Sequence, residues 1–373
     1  MSAAADSDSS AGSTPAAGDA GQNGAARSVA AGSGQSGGQP VQVTVSVSGD
    51  HLIHGPVYRR AAQNAGGNGY NFKPMFKQIK PFIQQADLAI CHIETPLTPQ
   101  PPAGYPMFNT PPQLAKDIKA TGWDACDTTS NHSLDKGQYG ITETIKSLDA
   151  AGLAHTGTYT SKAASEKILI MPVKGTKIAF LSYTGVSNGL PQPKAWWLNN
   201  LNTDKILADA AKAKAQGADA VIVNLHWGNE YQHAPSAQQV QVAKKLTASP
   251  NITSVIGQHV HVVQPIARYH HKLVLFGEGN LISNQTPSCC APGAQDGMIG
   301  LLRFEIVPGQ TAKLKRIDYV PVWVHQPDYV VVPVKQSRSK YPNETAALDA
   351  SWKRTTQVVG QGATWGPWTK PTP

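Results

Sequence analysis

The residues Thr128-Thr129-Ser130-Asn131-His132-Ser133-Leu134-Asp135 put an amide and an imidazole side by side just after a short apolar run, Trp123 to Cys126. Asn offers a neutral oxygen to a metal, and His offers a nitrogen ligand or a proton. Strand ends in α/β sheets are where ligands sit. Taken alone, the stretch reads equally well as a helix N-cap, with Ser or Asn satisfying the first backbone amides of the helix that begins near Gln138.

Four more polar clusters follow apolar runs in the same way: Gly49-Asp50-His51 with His54, His92-Ile93-Glu94, His226-Trp227-Gly228-Asn229-Glu230, and Gly257-Gln258-His259-Val260-His261. The chain has 12 His, and seven of them fall in these five places, which points to a metal centre rather than to scattered surface residues. Asp50, Glu94, Asn131, His226, His259 and His261 form a mixed oxygen and nitrogen set of the kind preferred by Mn, Fe or Zn. Glu94 is the natural bridge between two ions. A pair roughly 3.5–4 Å apart would clamp a phosphoryl or acyl oxygen and activate a water. His259 and His261 fall on one side of an extended segment, in reach of both ions. His54 can complete the first ion's shell, and His51 either supports a ligand or faces solvent. His92, two before Glu94, points the same way as Glu94. Asp135, three after His132, either orients that imidazole or favours the start of the next helix. Glu230 and His233 either line a cleft or belong to an exposed loop.

Separate strands must carry these groups. Alternating Val41 to Ser48, then Asp87 to Ile93, Trp123 to Cys126, Ala220 to Leu225 and Ile252 to Ile256 read as strands that open on the clusters. The apolar run before His226 suits a strand buried on both faces. Helical spacing appears at 72–85, 111–121, 141–151, 203–216 and 236–246. Lys167 to Pro172 with Lys177 to Tyr183, and Val262 to Tyr269 with Lys272 to Phe276, read as strand pairs, and two further strands follow at 298–306 and 312–322. A long loop at 185–200 with Trp196 and Trp197 is a candidate lid or rim. Strands alternating with helices argue a layered α/β sandwich with the clusters gathered on one edge. Residues 1–41 are Ala, Gly, Ser, Gln and Asp with almost no large apolar side chain, which predicts a disordered leader. Residues 42–335 then form the domain, and 336–373 read as a polar, Pro-containing tail with isolated Trp352, Trp365 and Trp368.

The formal charge is +8; the first forty residues hold Asp6, Asp8 and Asp19 against Arg27, so the remainder carries +10. A basic body suits a polyanion or an anionic surface, or serves solubility. No basic run interleaved with aromatics suggests nucleic acid, and no apolar run reaches the length of a membrane span. None of Cys91, Cys126, Cys289 and Cys290 has zinc-finger spacing. Cys91 and Cys126 can face each other across neighbouring strands, and an even count permits disulfides in an exported protein. The leader is like the stalk of an exported or lipid-anchored protein after removal of its signal; a disordered cytosolic N-terminus is the alternative.

The motifs Gly49-Asp50 with Leu52-Ile53-His54, Ile93-Glu94-Thr95-Pro96-Leu97, Ser130 to Gly137, His226 to Tyr231, Gly257 to Pro265 and Gly279-Asn280 run in one order from about 43 to 284 and resemble the CapA family of bacterial capsule (poly-γ-glutamate) synthesis proteins. The resemblance implies a calcineurin-like metallophosphoesterase fold, a four-layer α/β/β/α sandwich. It also implies an exported or membrane-attached location, an anionic polymer such as poly-γ-glutamate as partner, and a membrane capsule-synthesis complex. Carried over by position, Asp50, Glu94 and His261, with His54, would hold one metal. Glu94, Asn131, His226 and His259 would hold the other, and His132 would be the catalytic imidazole. The chain departs from the pattern at His92, where the family often has Asn, and at His54, which stands four residues after Asp50 instead of two. Two functions remain open at this level: a metal-dependent hydrolase acting on a phosphoester or a cell-envelope polymer, and a non-catalytic component that binds or exports an anionic polymer.

Overall fold

The computed structural model describes residues 39–307 and 310–373; the expected leader therefore lies, but for its last residues, outside the described residues. In chain order, strand β1 (Val41–His51) is followed by helices α1 (Gly55–Asn64), α2 (Lys73–Phe76) and α3 (Lys80–Gln84), then β2 (Leu88–Ile93), α4 (Gln113–Thr121), β3 (Ala125–Asp127), α5 (Gly137–Ala151), β4 (Ala154–Thr156) and α6 (Lys162–Ser165). The second half begins with β5 (Leu169–Val173), β6 (Thr176–Thr184), α7 (Thr203–Ala215), β7 (Ala220–His226), α8 (Ala237–Ala248) and β8 (Ser254–Gln258). It continues through β9 (Ile266–Tyr269), β10 (Lys272–Leu275), β11 (Asn280–Ile282), β12 (Asp296–Ile306), β13 (Lys313–His325) and β14 (Val330–Pro333). Helices α9 (Val334–Ser337) and α10 (Thr345–Val359) and strand β15 (Trp365–Pro367) close the chain.

Two sheets result. One runs β14-β13-β12-β1-β2-β3-β4, with β11 beside β1 and β15 beside β13; the other runs β5-β6-β7-β8-β10-β9. Val43, Val45 and Val47 of β1 pack with Phe180 of β6 and Ile222 of β7 between the sheets. The outer face of the first sheet is covered by Val57, Phe76, Phe82 and Leu114 from the first four helices. The outer face of the second is covered by Ile206, Ala210, Val242 and Leu246 of α7 and α8. This is the four-layer α/β/β/α sandwich, and its continuous apolar strands, such as fully buried β7, are those of parallel sheets covered on both faces. Because β1, β2 and β3 are mutually parallel, as are β6, β7 and β8, their carboxyl ends share one edge.

Glycines bring that edge together. A Cβ at Gly49 would meet the Gly279 carbonyl oxygen at 2.0 Å, and one at Gly257 would meet the Phe276 oxygen at 2.0 Å. Both positions therefore exclude any side chain, which explains the Gly49-Asp50 and Gly257-Gln258 pairs in physical terms.

Two local expectations differ from the structure, and one helix goes unread in the sequence. The single helix over 72–85 is two short ones, because Pro74 and Pro81 sit in the first turns of α2 and α3 and cannot donate to a continuing helix. Helix α1 has only Val57 and Ala61 buried, too few for an apolar period to stand out. The segment from 336, read as a tail, is built into the first sheet: β15 pairs with β13, and α10 packs its Leu348, Ser351, Thr355 and Val359 inward. Two of those four are hydroxyl residues, so the buried face has helical spacing but little hydrophobic contrast. Arg354 of α10 makes a two-pronged contact with buried Asp296, Nε to Oδ2 at 2.8 Å and Nη2 to Oδ1 at 3.0 Å. Arg354→Ala is expected to destabilise the fold by on the order of 1–3 kcal/mol, by leaving a buried carboxylate without its donor. An unchanged denaturation midpoint would contradict that role.

Cys91 and Cys126 stand in register across β2 and β3 and form a disulfide. Cys289 and Cys290 are paired with each other in a surface loop. No helix among the described residues is long and apolar enough to cross a membrane.

Candidate metal centre

The carboxyl ends of β1, β2, β7 and β8, with the turn after β3, deliver Asp50, Glu94, Asn131, His226, His259 and His261 to one buried site. Asp50 Oδ2 lies 3.1 Å from His261 Nδ1, and His261 Nε2 lies 3.7 Å from Glu94 Oε1. His226 Nε2 is 2.9 Å from Asn131 Oδ1. Three sets have their ligand atoms within 4.8 Å of one another: Asp50 with Glu94 and His261, Asp50 with His92 and His226, and Glu230 with His259 and His261.

His92 and Glu230 thus lie within reach of the expected ligands, and His54 stands outside these three sets. His54 Nδ1 accepts from the Asn284 amide at 3.2 Å, and its ring meets Phe108 edge-on in the wall of a neighbouring cavity. His51 is fully buried against Phe76 and Trp123, with Nδ1 2.9 Å from the His92 carbonyl, so it faces the helical layer and not solvent. His233 Nδ1 bonds the Val263 carbonyl at 2.8 Å, away from the cluster. The His259-Val260-His261 segment is not extended: φ is +93° at His259 and +57° at His261, with the rings 5.9 Å apart. Such left-handed backbone at two bulky residues is held only where the surroundings enforce it. Here Val260 is buried, its carbonyl accepts from the Tyr231 amide at 2.7 Å, and the Asp50 carboxylate faces the His259 amide at 3.4 Å.

The donor set fits divalent cations. Both Glu94 oxygens and His259 Nδ1 are buried without a hydrogen-bond partner among the described residues. A buried carboxylate left so is costly unless a cation compensates it. Burial pushes Glu94 up to about 7, with His261 opposing the shift. His261 is raised to about 9: burial works against its charge and is outweighed by Glu94 and Asp50. Burial, aided by neighbouring imidazoles, keeps His226 well below its ordinary value and lowers His259 to about 3, so both are neutral nitrogens ready to ligate. Metal and proton would compete for the same atoms of Glu94 and His261. Divalent-ion affinity is therefore expected to rise between pH 6 and 8, with protons released on binding. Calorimetry in buffers of different ionisation enthalpy checks this, and a heat independent of buffer would contradict it.

Residues behind the cluster fix its geometry. Asp127 Oδ1 holds His92 Nδ1 at 2.8 Å and accepts from Ser182 at 2.9 Å, and Asn224 donates to Ser182 at 3.2 Å, which ties the two sheets together beneath the site. Asn280 Oδ1 lies 3.1 Å from His261 Nδ1. Asp127 escapes a reading by cluster because it is the last residue of a three-residue strand. Asn280 belongs to the Gly279-Asn280 pair, whose role only the folded chain reveals.

His132 stands beside the cluster. Its Nδ1 is 2.9 Å from Asp135 Oδ2, which also accepts from the Phe108 amide at 2.7 Å, and its ring packs edge-on against Phe108. Asp135 thus orients the imidazole, and Nε2 is the nitrogen available to the cavity that His132 lines. That cavity, about 450 Å³, is also lined by His54, Tyr105, Phe108, Glu230, Tyr231 and His261, with the Cys289-Cys290 pair at its edge. No Lys or Arg of the described residues lines it. The 185–202 loop borders the site: Trp197 packs on the cluster of Leu134, Ile141 and Leu198, while Asn188 accepts from Asn131 at 3.1 Å and reaches His132.

The chain is similar to the calcineurin-like phosphoesterase YfkN from Bacillus subtilis, at 13% identity and TM-score 0.49, over 83% of this chain and 100% of that one. The family described as bacterial capsule synthesis protein PGA_cap matches residues 44–285, and the chain belongs to that family. Among curated relatives it is similar to the capsule biosynthesis protein CapA of Bacillus anthracis, 26% identical over 80% of this chain and 70% of that protein. It is also similar to the PGA biosynthesis protein CapA of Bacillus subtilis, 26% identical over 71% and 68%.

Proposed function

We propose that the chain is a metal-dependent hydrolase of capsule synthesis, acting on a phosphoester or on an amide of a cell-envelope polymer such as poly-γ-glutamate. The observation that carries this reading is Glu94, a buried carboxylate without hydrogen-bond partners among the described residues where strand ends of both sheets meet, next to His132, which Asp135 orients and which lines an open cavity. Asp50, Glu94 and His261 would hold one divalent ion, and Glu94, Asn131, His226 and His259 a second, with His92 and Glu230 in reach. Ions held there would polarise a phosphoryl or acyl oxygen and supply an activated water. The chain's own part is to orient the substrate and manage the proton. Asn131 donates to Asn188 of the rim, which would hold the Asn131 oxygen toward the ion. Asp135 fixes the His132 ring, and protonated His132 gives its Nε2 proton to the leaving oxygen or nitrogen. Phe108, Tyr105 and Tyr231 would hold the leaving group in largely apolar walls.

Location outside the cytoplasm, at the cell surface or anchored to the membrane, belongs to the same proposal. The Cys91–Cys126 bridge supports it, because such bonds persist in oxidising compartments. A membrane capsule-synthesis complex is the partner this location would offer. The test is a hydrolysis screen of the purified protein on aryl phosphates, phosphodiesters and poly-γ-glutamate, with Mn, Fe or Zn added. Metal-dependent turnover of at least one class is expected, abolished by chelator. Absence of turnover in every class with metal demonstrably bound would leave a polymer-handling component without catalysis.

A further inference from the structure

A second cavity, about 410 Å³, opens in the seam between the two sheets. Its walls come from both: Ile252, Thr253 and the Arg268–Lys272 hairpin from the second sheet, and Lys313–Lys315 with Thr364 from the first. It lies at the opposite pole from the metal centre. Lys313 pairs with Glu305, and Glu305 with Gln42 at the start of β1, whereas Asp50 stands at the end of that strand. Eight residues of strand separate Gln42 from Asp50, roughly 26 Å.

Four cations converge here. Arg268, Lys272, Lys313 and Lys315 line the cavity, and the acidic contact among them is Glu305, 3.4 Å from Lys315, leaving 4 − 1 = +3. The other bonds of these cations go to neutral atoms: Arg268 donates to the His271 carbonyl and the Thr364 hydroxyl, and Lys272 to the Ser249 carbonyl. Lys272 is half-buried, and that burial lowers its ammonium from the ordinary value, a cost a nearby anion would offset. The hairpin turn holds His270 at φ +47° and His271 at φ +64°, positions that ordinarily take Asn and Gly. Strain of this kind is kept where the surroundings enforce it, and it sets two imidazoles at the cavity's edge.

The geometry points to this seam as the binding site for a carboxylate-rich segment of an anionic polymer chain. Cations of both walls would meet successive carboxylates, and Ile252, Ala312 and Leu314 would meet the methylenes between them. The metal-side cavity offers no Lys or Arg among the described residues, so fixed cations for a length of chain beyond the reacting bond are found at the seam. A concave seam is also a poor fit to a flat lipid surface, and no Phe, Tyr or Trp among the described residues lines it as a broad stacking platform for a nucleobase. The choice of polyglutamate as the polymer rests on the function proposed above; the site itself does not.

The test uses the full chain and fluorescently labelled poly-γ-glutamate, followed by anisotropy at low and high salt. Binding is expected at low salt and should weaken as salt rises. Lys313→Glu with Arg268→Gln should weaken it by about tenfold or more, and the milder Lys313→Gln by a few-fold with a shallower salt dependence; unchanged circular dichroism confirms that each variant is folded. Glu94→Gln should lose metal and keep polymer binding, so a failed metal site and a failed polymer site give different results. Wild-type protein that ignores the polymer at low salt, or seam variants that bind it as wild type does, would overturn the proposal. So would phosphatidylglycerol vesicles captured through these residues by a protein that does not bind the polymer.

Discussion

His132→Ala is expected to lower hydrolysis by about 10²–10⁴-fold, the usual worth of a positioned general acid, while metal content stays that of the unaltered protein. The separation follows from geometry. His226 Nε2 faces the Asn131 oxygen at 2.9 Å, whereas the neighbouring His132 turns to Asp135 and the cavity. His132 therefore stands beside the ligand cluster and not within it. Asn131→Ala should lower metal affinity as well as rate. Asp135→Asn should fall between, because the imidazole keeps a neighbour of the same size but loses the carboxylate that orients its ring. Turnover by His132→Ala near the wild-type rate would remove the proton donor from the account.

The second large effect has opposite signs in the metal-free and metal-loaded protein. Glu94→Gln should stabilise the metal-free fold at pH 8 by on the order of 1–3 kcal/mol, since it removes a buried charge whose oxygens have no hydrogen-bond partner among the described residues. The direction follows from Glu94 being raised from 4.5 to about 7. A carboxyl raised in the fold contributes stability below pH 4.5 that is lost as pH climbs through 7, and the amide has nothing to lose there. Added divalent ion should then raise the melting temperature of the unaltered protein and barely move that of the variant, because a ligand stabilises only the state that binds it. A variant less stable than the parent without metal, yet stabilised by metal to the same extent, would contradict the assignment of Glu94.

Much of this was legible in the sequence because parallel strands announce themselves by continuous apolar runs and end in the groups they deliver. Asp50, Glu94, Asn131, His226, His259 and His261 were readable as one set by that recurrence. What was hidden depended on contacts between distant segments. His54, whose spacing from Asp50 departs from the family pattern, has surroundings set by distant segments: the chain turns after Leu52 and brings its ring to Phe108 and the Asn284 amide. His92 and Asp127 meet only because β2 and β3 pair in register. The left-handed backbone of His259 and His261 has no sequence signature, since neither residue is Gly. Helix α10 hid its buried face behind Ser351 and Thr355.

The central claim is that the buried cluster is a metal centre. Elemental analysis of protein purified without chelator tests it most directly, on the unaltered chain, Asp50→Ala and His261→Ala side by side. The account predicts bound Mn, Fe or Zn in the unaltered protein, at up to two ions per chain, and a marked loss in both variants. Equal metal content in all three, or none in any even after incubation with each ion, would contradict it.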